Sequence, residues 1–174
     1  MRFSLSVSVA SIFIALNVIG RLMLTILPNI SPVAPLTMLG GYIGGPLAGF
    51  IIGFFSMFIS DMFIGVGPWT IVTSFFMGLL GIIGSYIGKY YRDRVIILVL
   101  SYLSVLLYDI STSVILMYSF GVPPFIAILN LFLPVSILVP YPMGPAHEIT
   151  SSLLFLALLN SLNSYIGDVY GEVV

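Results

Sequence analysis

The chain has 174 residues, of which 60% are hydrophobic and only 6% are Asp, Glu, Lys or Arg. A water-soluble domain carries roughly 25% charged residues, so this composition excludes a soluble enzyme, and it is too apolar for a disordered chain. Five basic against six acidic side chains give a net charge of −1, no basis for nucleic-acid binding, and the absence of Cys with a single His leaves no thiolate site and no multi-histidine metal centre. The expectation is an all-α integral membrane protein of one domain, without metal or cofactor.

Only Arg2 precedes the first apolar run, which continues to about Leu27 with no small-x-small cleavage site, so it reads as a retained helix rather than a signal. A helix needs about 20 residues to cross the hydrocarbon core. The first span is expected over about 5–27, ended by Pro28-Asn29. Apolar sequence then runs from Pro32 to Ile64, too long for one span, and Gly44-Gly45-Pro46 divides it into a short segment over 32–44 and a third over 46–64. Gly65-Val66-Gly67-Pro68 reads as a turn before a fourth span over 69–90. The fifth, over 95–120, is closed by Gly121-Val122-Pro123-Pro124. Phe125 to Val139 is apolar but short, either a half-helix, a re-entrant piece or the outer part of a kinked helix. The last span is expected over 146–166.

Lys89, Arg92 and Arg94 fall in one short loop, and such loops face the cytoplasm. Arg2 favours the same side for the N-terminus. Both hold with a compact six-transmembrane-helix bundle, N- and C-termini cytoplasmic, a short extra or re-entrant segment before the last helix, and 122–145 on the extracellular side. The cell membrane is the expected location.

Gly41, Gly45, Gly49 and Gly53, then Gly78, Gly81, Gly84 and Gly88, make small-residue stripes that let helices approach closely. They speak of packing and not of substrate. Ser4, Ser8, Ser11 and Ala15 form one stripe on the first helix, suited equally to packing within the bundle and to docking on another membrane subunit.

Ionisable groups inside a membrane cost roughly 2.5–3.5 kcal/mol at a helix centre, so the few present are informative. Asp61 ends the third span, Asp109 lies within the fifth beside Tyr108, and His147-Glu148 opens the last. Arg21, in the outer third of the first span, reads as a candidate for snorkelling to the interface. Asn29, Asp61, Trp69, Tyr141, His147 and Glu148 all map to the outer ends of different helices, where they can converge on one outward-facing pocket of aromatic and polar groups. Trp69 suits the membrane interface as well as ligand stacking. No Walker A, G-x-S-x-G or HExxH sequence occurs, so no enzyme template is met and any ATP hydrolysis must come from a partner.

Several stretches together resemble the substrate-binding S component of an energy-coupling factor (ECF) vitamin transporter. They are Ala15-Leu16-Asn17-Val18-Ile19-Gly20-Arg21, Leu27-Pro28-Asn29-Ile30-Ser31-Pro32, Leu39-Gly40-Gly41 through Gly53, Ser60-Asp61, Gly67-Pro68-Trp69-Thr70, Leu107-Tyr108-Asp109 and Pro145-Ala146-His147-Glu148. The resemblance implies a six-helix membrane protein that binds a vitamin or related micronutrient. It also implies a transmembrane coupling subunit and two cytoplasmic ATPases as partners. Substrate-binding residues are then expected at Asn29, Asp61, Trp69, Tyr108, Asp109, Tyr141, His147 and Glu148. The family docks through an A-x-x-x-A pattern in the first helix, matched here by Ser11-x-x-x-Ala15, with Ser8 one turn before. The segment from Val122 to Pro145 is longer than the family's usual connection and is either a lid or a peripheral helix. Asp61, Asp109 and Glu148 outnumber the nearby Arg21, which favours a neutral or cationic ring compound over an anionic vitamin. The alternatives to this reading are a stand-alone transporter or channel and an intramembrane hydrolase using His147.

Overall fold

A computed structural model describes residues 3–25, 30–136 and 139–170. It contains the helices α1 (Phe3–Met23), α2 (Val33–Gly44), α3 (Pro46–Ile64), α4 (Pro68–Tyr90), α5 (Arg94–Ser119), α6 (Pro124–Phe132) and α7 (Met143–Tyr170), with two short strands, β1 (Pro134–Ser136) and β2 (Val139–Pro142), between the last two. Among the described residues α3, α4 and α5 are long and apolar enough to cross a membrane, while Val7–Met23 and Val33–Gly44 are shorter apolar helices.

The breaks have local causes. Gly45 joins α2 to α3 at φ 89°, a backbone conformation that L side chains rarely adopt, and Pro46 follows at the first position of α3. At the start of α4 the Gly67 N–H donates to Thr70 Oγ1 at 3.1 Å, while the Thr70 N–H returns to the Gly67 carbonyl at 3.0 Å. Asp93 caps α5, its Oδ1 accepting from the N–H groups of Val95 and Ile96 at 2.8 and 3.0 Å.

The bundle is helical as expected, with one small addition between α6 and α7: β1 and β2 pair antiparallel with Pro134 opposite Pro142 and Ser136 opposite Val139. Pro134, Pro140 and Pro142 forbid a continuous helix across this stretch, so the apolar run that begins at Phe125 stops being helical at Phe132. The nine-residue α6 rises only about 14 Å, less than half of a hydrocarbon core. The last helix begins earlier than Ala146, at Met143, with Pro145 in its first turn where proline is tolerated. The first helix ends at Met23 rather than Leu27, and 26–29 lie outside the described residues.

The core is built where α2, α4, α5 and α7 meet, around Met38, Met77, Leu80, Val105, Phe155 and Leu159. Outward faces are apolar as well. On α5 the exposed positions Ile96, Val99, Leu103, Leu107 and Ile115 recur at helical spacing. An apolar exterior around an apolar core suits a helix bundle solvated by lipid.

Glycines set the spacing of α2, α3 and α4. A Cβ on Gly49 would collide with the backbone carbonyl of Gly81, and one on Gly81 with that of Gly49. A Cβ on Gly53 would strike the Met77 carbonyl. The backbones touch because side chains are missing there.

Candidate functional site

Beyond this close-packed stretch lies a cavity of about 390 Å³, a size suited to a small organic ligand. Its walls come from the end of α1 and the residues after it, from the far parts of α3 and α4, and from α5, α6 and the start of α7. Apolar surface is supplied by Val33, Met57, Met77 and Leu131, and hydroxyls by Thr25, Ser31, Thr73, Thr112 and Ser113. An ion pair and a carboxylate–imidazole pair complete it.

The first pair joins α1 to α3. Arg21 lines the cavity and its Nη1 donates to Asp61 Oδ1 at 2.6 Å, to Ser60 Oγ at 2.5 Å and to the Met57 carbonyl at 3.4 Å. Asp61 is 1% exposed, so its charge is neutralised inside the protein by a guanidinium that water or a ligand can still reach. One turn earlier on α1, Asn17 Nδ2 donates to Thr37 Oγ1 and Ser56 Oγ, each at 3.1 Å, which ties α1 to α2 and α3.

The second pair joins α5 to α7. His147 Nδ1 lies 2.9 Å from Asp109 Oδ2 and 3.0 Å from Oδ1, and the Tyr108 ring meets the imidazole edge-on with centroids 6.0 Å apart. A carboxylate only accepts hydrogen bonds, so Nδ1 carries the proton and Nε2 is the ring nitrogen left for another partner. Tyr108, Asp109 and His147 all line the cavity. Thr112, one turn along α5, also lines it and returns its hydroxyl to the Tyr108 carbonyl at 2.9 Å.

Not every expected site residue is brought here. Asp61 stands behind Arg21 rather than on the cavity wall. Trp69 is 42% exposed with its indole folded against Gly67, and it is not one of the lining residues. Glu148 is fully buried but does not line the cavity, and neither carboxylate oxygen has a hydrogen-bond partner among the described residues, although Tyr102 lies near enough to interact. Asn29 and the side chain of Tyr141 lie outside the described residues. Met57, Met77 and Thr112 were not expected, and Arg21 was expected near the pocket but not among the substrate-binding residues. For Arg21 the signal was in the sequence, since an arginine and an aspartate placed towards the same end of two apolar helices have strong reason to pair.

On the outer face of α1, Ser8, Ser11 and Ala15 are exposed. Ser11 and Ala15 line a shallow groove of about 410 Å³ with Ile14, Val18, Ile19 and Ile59. Among the described residues no group of three His, Cys, Asp or Glu side chains is placed to hold a metal ion.

Residues 4–164 match the family described as ECF-type riboflavin transporter, S component. No curated protein and no solved structure matches the chain.

Proposed function

The chain belongs to the S-component family of ECF-type riboflavin transporters, and from that premise we propose that it captures riboflavin in the cavity between α1, α3, α4, α5 and α7. Membership makes it a multi-pass membrane protein of vitamin uptake, a substrate-binding subunit rather than an enzyme. The observation that carries the ligand reading is the cavity's charge balance. Each ionic group that borders it already has a partner of opposite or complementary character, Arg21 with Asp61 and Asp109 with His147. Among the described lining residues, no cation without an acidic partner awaits a phosphate or a carboxylate. A neutral tricyclic ring with a polyol chain suits such a site, its faces against the Met57 and Met77 side chains and its polar edge and hydroxyls against Arg21, His147, Thr112 and Ser113.

Tyr108, Asp109 and His147 are the ligand-side residues on α5 and α7, and the sequence adds Asn29 and Tyr141 as substrate-binding candidates. The basic loop with Lys89, Arg92 and Arg94 follows the far end of α4 from Thr73. With that loop cytoplasmic, six crossings place both termini inside and open the cavity outward. The groove at Ser11 and Ala15, with Ser8 beside it, is the surface offered to a transmembrane coupling subunit. Two ATPases bound to that subunit supply the energy, because the chain has no nucleotide-binding sequence of its own.

Mass spectrometry of small molecules released by denaturing the detergent-purified protein tests the ligand. Riboflavin at near-stoichiometric amount is the expected result. A different vitamin at that amount, or a preparation that neither carries nor takes up riboflavin, would overturn the assignment.

A further inference from the structure

Among the described residues Arg21 is held from one side only. Its three hydrogen bonds to α3 all leave from Nη1, reaching Met57, Ser60 and Asp61. Ser60 is itself fixed, donating to the Met57 carbonyl at 3.0 Å. Nη1 carries two of the five guanidinium N–H groups, and Nε and Nη2 carry the other three. The side chain lines the cavity while Asp61 does not. One edge of a rigid planar fork is therefore anchored, and the group as a whole borders the ligand space. His147, which also lines the cavity, is held in the same manner, with Nδ1 on Asp109.

Resting on the riboflavin reading, we propose that Arg21 recognises the carbonyl edge of the flavin ring and that Asp61 and Ser60 are positioning residues acting through it. A guanidinium only donates, so the atom facing it must be an acceptor. Ring carbonyls are acceptors fixed in the plane of the ring, which is what a fixed planar fork matches, whereas ribityl hydroxyls rotate and donate as readily as they accept. Met57 supports the geometry, because its carbonyl accepts from Arg21 and its side chain lines the cavity beside it. A ring lying against that thioether brings its edge to the guanidinium. Met57, Ser60 and Asp61 lie within one and a half turns of α3, so the orientation of the arginine is written into a single helical segment.

The test uses riboflavin, lumiflavin (the same ring with methyl in place of the ribityl chain) and the 2-thio and 4-thio forms of lumiflavin, in which a carbonyl becomes a weaker acceptor. Each is titrated into detergent-purified wild type, D61N and R21Q/D61N. The double variant is chosen because R21Q alone would leave Asp61 as an uncompensated buried charge. Wild type is expected to bind riboflavin and lumiflavin and to discriminate against one of the thio forms. In R21Q/D61N both oxygen ligands should weaken by the same factor, about tenfold, and the oxo-over-thio preference should vanish. D61N should reduce that preference while the fold is retained, which a merely structural aspartate would not do. Loss of riboflavin binding with lumiflavin unaffected would move the contact to the ribityl chain and overturn the proposal. So would an unchanged oxo-over-thio preference in R21Q/D61N. Wild type that binds neither riboflavin nor lumiflavin would overturn the vitamin reading itself.

Discussion

The same two helices, α3 and α4, behave differently along their length. Towards one end Gly49 and Gly81 place backbone on backbone, and Gly53 lies on the carbonyl of Met77. Towards the other end the glycines stop on both helices, and Met57, Ile64, Thr73 and Met77 line a cavity instead. The difference teaches where shape is decided. Missing side chains close the bundle, and the return of long side chains beside paired charges leaves room for a ligand. The closed part is set by backbone contact that cannot adjust, and the open part by side chains that can.

The largest way to break this contrast is to put a side chain into the closed part. Gly81→Val drives its new carbons into the Gly49 carbonyl, and a loss of about 3 kcal/mol is expected, read as a lower melting temperature and loss of monodisperse protein in detergent. Next in size is the His147–Asp109 pair. His147→Ala/Asp109→Asn takes the imidazole off the cavity wall without leaving a bare buried carboxylate, and the loss of one ligand hydrogen bond, about 1.5 kcal/mol, should weaken riboflavin binding roughly tenfold in a protein that still folds. Ala15→Trp fills the groove on α1, so riboflavin uptake by cells should fall while binding by the purified protein stays unchanged. The smallest effects sharpen the site's boundary. Trp69→Phe and Glu148→Gln alter groups that do not line the cavity, and each should leave affinity within about twofold, under ~0.5 kcal/mol.

Much of the helical layout was legible because its causes are local. Gly45-Pro46, Pro68, Asp93 and Pro124 act within a turn of where they stand, and the helices begin and end on them. The β-hairpin was not legible, although the prolines that exclude helix there were in view, because pairing of two strands is not a local property. The site divides in the same way. Intramembrane charges marked Asp109 and His147, and both line the cavity. In the sequence Arg21 reads both as a snorkelling group and as the one cation near the pocket, but its pairing with Asp61 is not legible locally, because they are 40 positions apart and only packing of α1 on α3 joins them. Glu148 is next to His147 in the sequence, but adjacent helical residues point about 100° apart, and on α7 it is His147 that faces the cavity. Trp69 suggested a stacking platform by residue type alone, and its position at the first turn of α4 turns it back on Gly67.

The most direct measurement is a calorimetric titration of riboflavin into detergent-purified wild type, Ser113→Trp and Ala15→Trp. Ser113 lies on the cavity wall and Ala15 on the outer groove, so the two tryptophans fill different spaces. One-to-one binding by wild type and Ala15→Trp, with none by Ser113→Trp in a folded protein, is the predicted result. Binding by Ser113→Trp equal to that of wild type would contradict the account, because riboflavin would then occupy some place other than this cavity.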